Sequence, residues 1–195
     1  GNAILVPVVL FYLLMDWLNL VQRVQALVPP RLREAYQGFI DECDAVLGQY
    51  LRGQLLVMAA LATYYATALA AVGFDLAVPV GVFTGLAVAI PYLGFGLGLV
   101  MAILAALLQF GSLGGVLLVA GVYGVGQLLE SFVLTPRLVG ERIGLGPLAV
   151  IFALMAFGQL FGFVGVLIAL PASAVALVAL RRALAAYRAS QLYVG

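Results

Sequence analysis

The chain has 195 residues, 66% apolar and only 9% charged, against roughly 45–50% and about 25% in an ordinary soluble domain. One core in water cannot bury so much apolar surface, so the excess must face lipid and the chain reads as an integral membrane protein. A net charge of +1, one cysteine (Cys43) and no histidine exclude an electrostatic nucleic-acid binder and a disulfide framework, and argue against a zinc site.

No charged side chain occurs from Leu76 to Leu129 or from Ile143 to Leu180. A bilayer core about 30 Å thick takes about 20 helical residues per crossing, so the first gap must turn back on itself at least once. The runs lack the alternation of a membrane barrel, which leaves helices. In chain order, Ala3 to Met15 is an apolar run too short to cross alone, with no basic leader and no initiator Met. It reads as the end of a membrane helix (1–19) in a longer protein.

Residues 20–54 are polar enough to leave the bilayer. After Pro29-Pro30, apolar residues at Leu32, Tyr36, Phe39, Cys43, Val46 and Tyr50 form one helical stripe, with Arg33, Glu34, Asp41, Glu42 and Asp44 off it. Pro30 suits a first helical position. The stripe reads as an amphipathic cytoplasmic helix, either on the membrane surface or packed as a connector on its own chain.

Leu55 to Val72 is a full crossing, closed by Gly73-Phe74-Asp75, with Asp75 expected to cap the next helix. Leu76 to Phe110 follows, interrupted at Pro91-Tyr92-Leu93-Gly94-Phe95-Gly96-Leu97-Gly98; then a break at Gly111 to Gly115, a crossing from Leu113 to Thr135, and a last run from Gly146 to Leu180 interrupted at Gly158 to Phe163. Each interrupted run would reach about 52 Å as one helix, too long for one crossing, while its halves of about 15–17 residues fall short of one. Two helical hairpins with tips inside the membrane fit better than two pairs of thin crossings, and such tips must be buried in protein or line a wet cavity.

All nine arginines fall in three segments, around residues 23–52, at 137 and 142, and at 181–188, while the links around Gly73, Gly111 and Gly162 have none. One face therefore carries every arginine and is cytoplasmic. Residues 55–110 and 111–180 each consist of a crossing followed by a hairpin, in opposed orientation, with 181–195 as a cytoplasmic tail. The expected fold is an all-α membrane protein with two hairpins in an inverted repeat, which is the sequence pointer to secondary transporters.

Glu130 is the only charged side chain within a full crossing, and intramembrane acids are costly and functional by default. It is either a solute or ion site, or a structural latch to Arg137 or Arg142. Gln127 one turn earlier, Gln159 at the second tip, and Tyr92 and Gln109 on the first hairpin supply uncharged polar groups; interhelical bonding is the simpler role for Gln109. The tips at Pro91, Gly94 and Gly162 could bind a ligand through backbone groups or be plain turns. Gly81/Gly85, Gly94/Gly98, Gly111/Gly115 and Gly158/Gly162 have the spacing that lets helices approach closely. No nucleophile with a base, carboxylate pair or phosphate loop supports an enzyme, and no cofactor is expected.

Several stretches are specific enough to carry a resemblance: Tyr50-Leu51-Arg52-Gly53-Gln54, Ile90-Pro91-Tyr92-Leu93-Gly94, Gly126-Gln127-Leu128-Leu129-Glu130-Ser131, Leu160-Phe161-Gly162-Phe163 and Ala169-Leu170-Pro171. The longest is Leu134-Thr135-Pro136-Arg137-Leu138-Val139-Gly140-Glu141-Arg142-Ile143-Gly144-Leu145. In order and extent they resemble the autoinducer-2 exporter family, especially its PerM-like permease branch. The resemblance implies a multi-pass transporter of the bacterial inner membrane, moving a small polar solute or signalling molecule by an elevator-like movement of the hairpins. It also suggests a homo-oligomer, with a pentamer as the suggested form. Other branches are linked to sodium/proton exchange, and a non-transporting scaffold is the remaining alternative. Its motif residues here would be Pro91, Gly94, Gln127, Glu130, Pro136 and Gly162, with Arg137 and Gly140 beside Pro136 in the structural motif. Family members carry further N-terminal membrane helices that this sequence does not include. Gly146 stands where related sequences often have histidine, so an imidazole proton relay is not expected there.

Overall fold

A computed structural model describes residues 11–12, 15–90, 93–139 and 146–190. Among them every regular element is helical: α1 (Trp17–Leu27), a 3-10 turn (Pro30–Leu32), α2 (Arg33–Ala71), α3 (Ala77–Ala87), α4 (Leu93–Phe110), α5 (Leu113–Leu129) continued by a π-helix (Glu130–Val139), and α6 (Pro147–Arg188). Pro30 opens the 3-10 turn at its first position, as its fixed φ and missing N–H favour. Among the described residues four helices are long and apolar enough to cross a membrane: Pro30–Ala71, Leu93–Phe110, Leu113–Leu138 and Leu148–Arg188.

The chain forms two compact units, Gly1–Glu42 and Cys43–Gly195. In the first, α1 exposes Trp17, Leu18, Leu20, Val24 and Leu27, Gln25 donates to Gln37 at 3.4 Å, and Arg33 Nε donates to the Val28 carbonyl at 3.3 Å. In the second, the core is a stripe on α2 spaced three to four residues apart, Tyr50, Gly53, Val57, Leu61, Tyr65 and Leu69, joined by Val80, Ala102, Ala106, Val119 and Tyr123.

On α3 and α4, what packs inward is small and what faces outward is large. On α4, Gly94, Gly98, Ala102 and Ala106 are buried at four-residue steps, while Leu93, Leu97, Val100, Leu104, Leu107 and Leu108 are exposed, the last at 89%. Water would punish that arrangement; lipid does not, because tails are as apolar as leucine and helix contact must come from close backbone approach. A methyl group at Gly81 would collide with the backbone of Tyr65 and Ala66, one at Gly85 with Ala62, and one at Gly98 with the Thr84 side chain.

Both interrupted runs fold back. In the first, Gly98 meets Thr84 and Gly94 meets the Ala87 carbonyl, the pairing of antiparallel neighbours. Its arms are 11 and 18 residues rather than two near-equal halves. The turn lies ahead of Leu93, since α4 has begun by that residue and takes in Gly94 to Gly98. Pro91 and Tyr92 lie outside the described residues. In the second run Gly162 has φ 62° and ψ −142° inside the span of α6, and Gly165 sits against the Phe157 carbonyl. Residues eight apart on a straight helix would be about 12 Å apart, so the chain reverses at Gly162 into arms 147–161 and 163–188.

Two further expectations change. Residues 33–54 and the crossing that follows form one uninterrupted helix of 39 residues, because Gly53 and Gln54 carry no breaker strong enough to end it. Asp75 does not cap α3, whose N-cap is Leu76 without a side-chain bond; the Asp75 N–H instead donates to Gln109 Oε1 at 2.9 Å.

The glycine contacts make a discriminating prediction. Gly85→Val should lower unfolding stability in detergent by about 1–3 kcal/mol through overpacking. Gly121→Ala, where an added methyl meets nothing within 4 Å, should leave stability unchanged or raise it by up to about 1 kcal/mol. Thermal unfolding of both variants checks this.

Candidate functional site

Polar groups inside an apolar helix bundle must find partners within it. Thr84, fully buried on α3, donates to the Val80 carbonyl at 2.8 Å. Its oxygen lies 2.7 Å from the Tyr123 hydroxyl of α5; the single Thr84 hydrogen is already used, so Tyr123 is the donor. The Tyr64 hydroxyl donates to the Val122 carbonyl at 3.0 Å. Between these, Tyr65 packs its ring 5.3 Å from that of Tyr64 and 4.7 Å from that of Tyr123. Gln54 donates to the Val88 carbonyl at 3.2 Å, tying the turn of the first hairpin to α2. Gln109 bridges the Gly73 carbonyl (2.7 Å) and the Asp75 N–H, the interhelical role expected of it.

Glu130 is half-buried where α5 passes into the π-helix. Among the described residues, Glu130 Oε2 and the Tyr65 hydroxyl are the buried side-chain polar atoms without a hydrogen-bond partner. They belong to one locality. The Tyr65 hydroxyl rests against Gly126, where an added Cβ would collide with it. Gly126 is one turn before Glu130 on the same helix. Gln127 donates to Ser131 Oγ at 3.1 Å on the same helix. Pro136 and Arg137 are exposed within the π-helix, and the latch from Glu130 to Arg137 is not made through Oε2. Arg142 and Gly140 lie outside the described residues.

The remaining candidates stand elsewhere. Gly94 is buried as a packing residue against Ala87 and Val88. Gly162 forms the reversal of α6, and Gln159 is exposed one turn before it. Gln127 and Glu130 therefore share a helix, while no hydrogen bond among the described residues joins them to Gly94, Gln159 or Gly162. Tyr65, Tyr123 and Thr84 were not singled out from sequence; hydroxyl-bearing residues spaced along otherwise apolar crossings were the available signal. In the unit 1–42, Gln22, Gln25, Arg33, Tyr36 and Gln37 line a recess of about 300 Å³.

Residues 2–185 match the family model described as AI-2E family transporter. The chain is 33% identical over 173 residues to YrrI of Bacillus subtilis, named as a candidate transport protein, covering 89% of this chain and 48% of that one. It is 30% identical over 173 residues to PerM of Escherichia coli, named as a candidate permease, covering 86% and 47%. The chain thus spans about half the length of the curated relatives it matches. No solved structure matches it.

Gly162 allows a direct test of the second hairpin. Its backbone conformation is one that L side chains rarely adopt, so Gly162→Ala should cost about 1–3 kcal/mol in strain. Gly158→Ala, which meets one Val166 methyl at 3.1 Å, should cost less. Unfolding midpoints of the two variants, compared in one detergent, give the order.

Proposed function

Because the chain belongs to the AI-2E family of transporters, we propose that it carries the solute-handling part of a secondary membrane transporter, with Glu130 and Gln127 meeting a small polar solute or a cation inside the bilayer. The observation that supports this most is the Glu130 carboxylate oxygen, buried without a partner in an otherwise uncharged crossing. Leaving such a group unsatisfied costs about 1–3 kcal/mol, more if charged. An acid serving only as structure would be bound up or replaced; one that must meet a passing solute has reason to keep an open oxygen.

In this reading the crossing half of α2 with the α3–α4 hairpin, and α5 with the α6 hairpin, are two units of an inverted repeat. Each repeat contributes one crossing and one hairpin that shifts as an elevator-like element, exposing the solute to either side in turn. The arginine-bearing segments face the cytoplasm of a bacterial inner membrane. The exposed leucine faces of α4 and α5 meet lipid or further copies in a homo-oligomer.

Flux into proteoliposomes holding the full-length protein tests the role of Glu130. Labelled sodium ion and a set of labelled small polar solutes serve as probes over a range of pH. Glu130→Gln should lower the flux of the transported probe about tenfold or more, the loss expected when one charged hydrogen-bond partner is removed. Transport at the parent rate at every pH would end the reading.

A further inference from the structure

We propose that Tyr65 is a positioning residue for Glu130: its hydroxyl donates to the Glu130 carboxylate through one bridging water or after a rotation of the flexible glutamate side chain, and Gly126 is the gap that admits it. The proposal rests on the reading of Glu130 as the solute-handling acid only for its consequence in transport. Three tyrosine hydroxyls gather where α2 and α5 meet, and two are spent, Tyr64 on the Val122 carbonyl and Tyr123 on Thr84. The third is unpartnered although Tyr65 is 0% exposed. It needs an acceptor, and Glu130 Oε2, one turn along the helix from the glycine it touches, needs a donor. A phenol and a carboxylate are complementary in that respect. Glu130 follows Gly126 by four residues, about one turn, which sets the acid next along the helix from the glycine on which the Tyr65 hydroxyl rests. The Tyr65 ring, held between Tyr64 and Tyr123, cannot swing away. Its hydroxyl is therefore a fixed point from which the flexible glutamate takes its direction.

Infrared spectra of the full-length protein in liposomes test the pair. The Glu130 carboxyl band is identified by its loss in Glu130→Gln. Tyr65→Phe keeps the ring and its packing, and should shift that band and lower probe flux about tenfold. Tyr123→Phe, which breaks only the bond to Thr84, should leave the band in place. In the reverse direction, and with no tyrosine altered, Glu130→Gln should shift one C–O band of isotope-labelled tyrosine. If neither band responds to loss of its partner, the proposal is overturned. A shifted band in Tyr65→Phe together with parent-rate transport by Glu130→Gln upholds the pair and removes the carrier role of Glu130.

Discussion

The closeness of α2 to α3 is the contact on which the described bundle depends. At Gly81 and Gly85 the two backbones leave no room for a single methyl group. In water, burial of large side chains would hold such helices together; in lipid that drive is absent, and dispersion between closely fitted backbones takes its place. The same logic runs along α4, where glycine and alanine at four-residue steps seat the helix on α3 while leucines cover its outer face. Thr84 fits this scheme because it is small enough to sit under Gly98 and satisfies its own hydroxyl through Val80 and Tyr123.

Once helices are pressed together, the turns between them become the exposed weakness, because bilayer interiors offer no water to backbone groups. Side chains from neighbouring helices answer this at two turns. Gln109 serves both a carbonyl and an N–H at the Gly73 turn, which Phe74 also pins by stacking on Phe110. Gln54 reaches across from α2 to the Val88 carbonyl as α3 ends. At the link between α4 and α5 the service is local, with Ser112 Oγ accepting from the Gly115 N–H at 3.4 Å. Gln54, Gln109 and Ser112 thus fall where the backbone needs them, whereas Glu130 Oε2 and the Tyr65 hydroxyl serve no such group.

Much of this was legible because glycine and charge are scarce signals in an apolar chain. The three arginine-free links were centred on Gly73, Gly111 and Gly162, and these three residues have positive φ. Fold-back of both long runs followed from their length against the thickness of a bilayer. The details lost were those with no such contrast. The α2 helix passes through Gly53 and Gln54 because their surroundings favour helix on both sides. The first hairpin turns ahead of Gly94, since glycines that look like a tip also make a packing face. Tyr65 and Tyr123 were missed because an aromatic in a uniformly apolar stretch has no polar background to stand out from; only their hydroxyls, brought together from α2 and α5, give them meaning.

The setting of Glu130 argues against a merely tolerated acid. The inner face of α5 runs through Gly115, Val119, Tyr123 and Gly126, all buried. Beyond the change of winding, Leu134 and Leu138 pack against the same core. Glu130 falls in the middle of this row, four residues after Gly126 and four before Leu134, where every other member is apolar or aromatic. Pro136 accounts for the local winding: in an α-helix its ring would collide with the carbonyl four residues earlier, and the wider π turn moves that carbonyl aside. Such turns cluster at functional sites, and this one starts at Glu130 itself. A leucine there would complete the row at no cost in charge burial; the acid instead sets a polar group into an apolar seam, one turn from the glycine on which the Tyr65 hydroxyl rests.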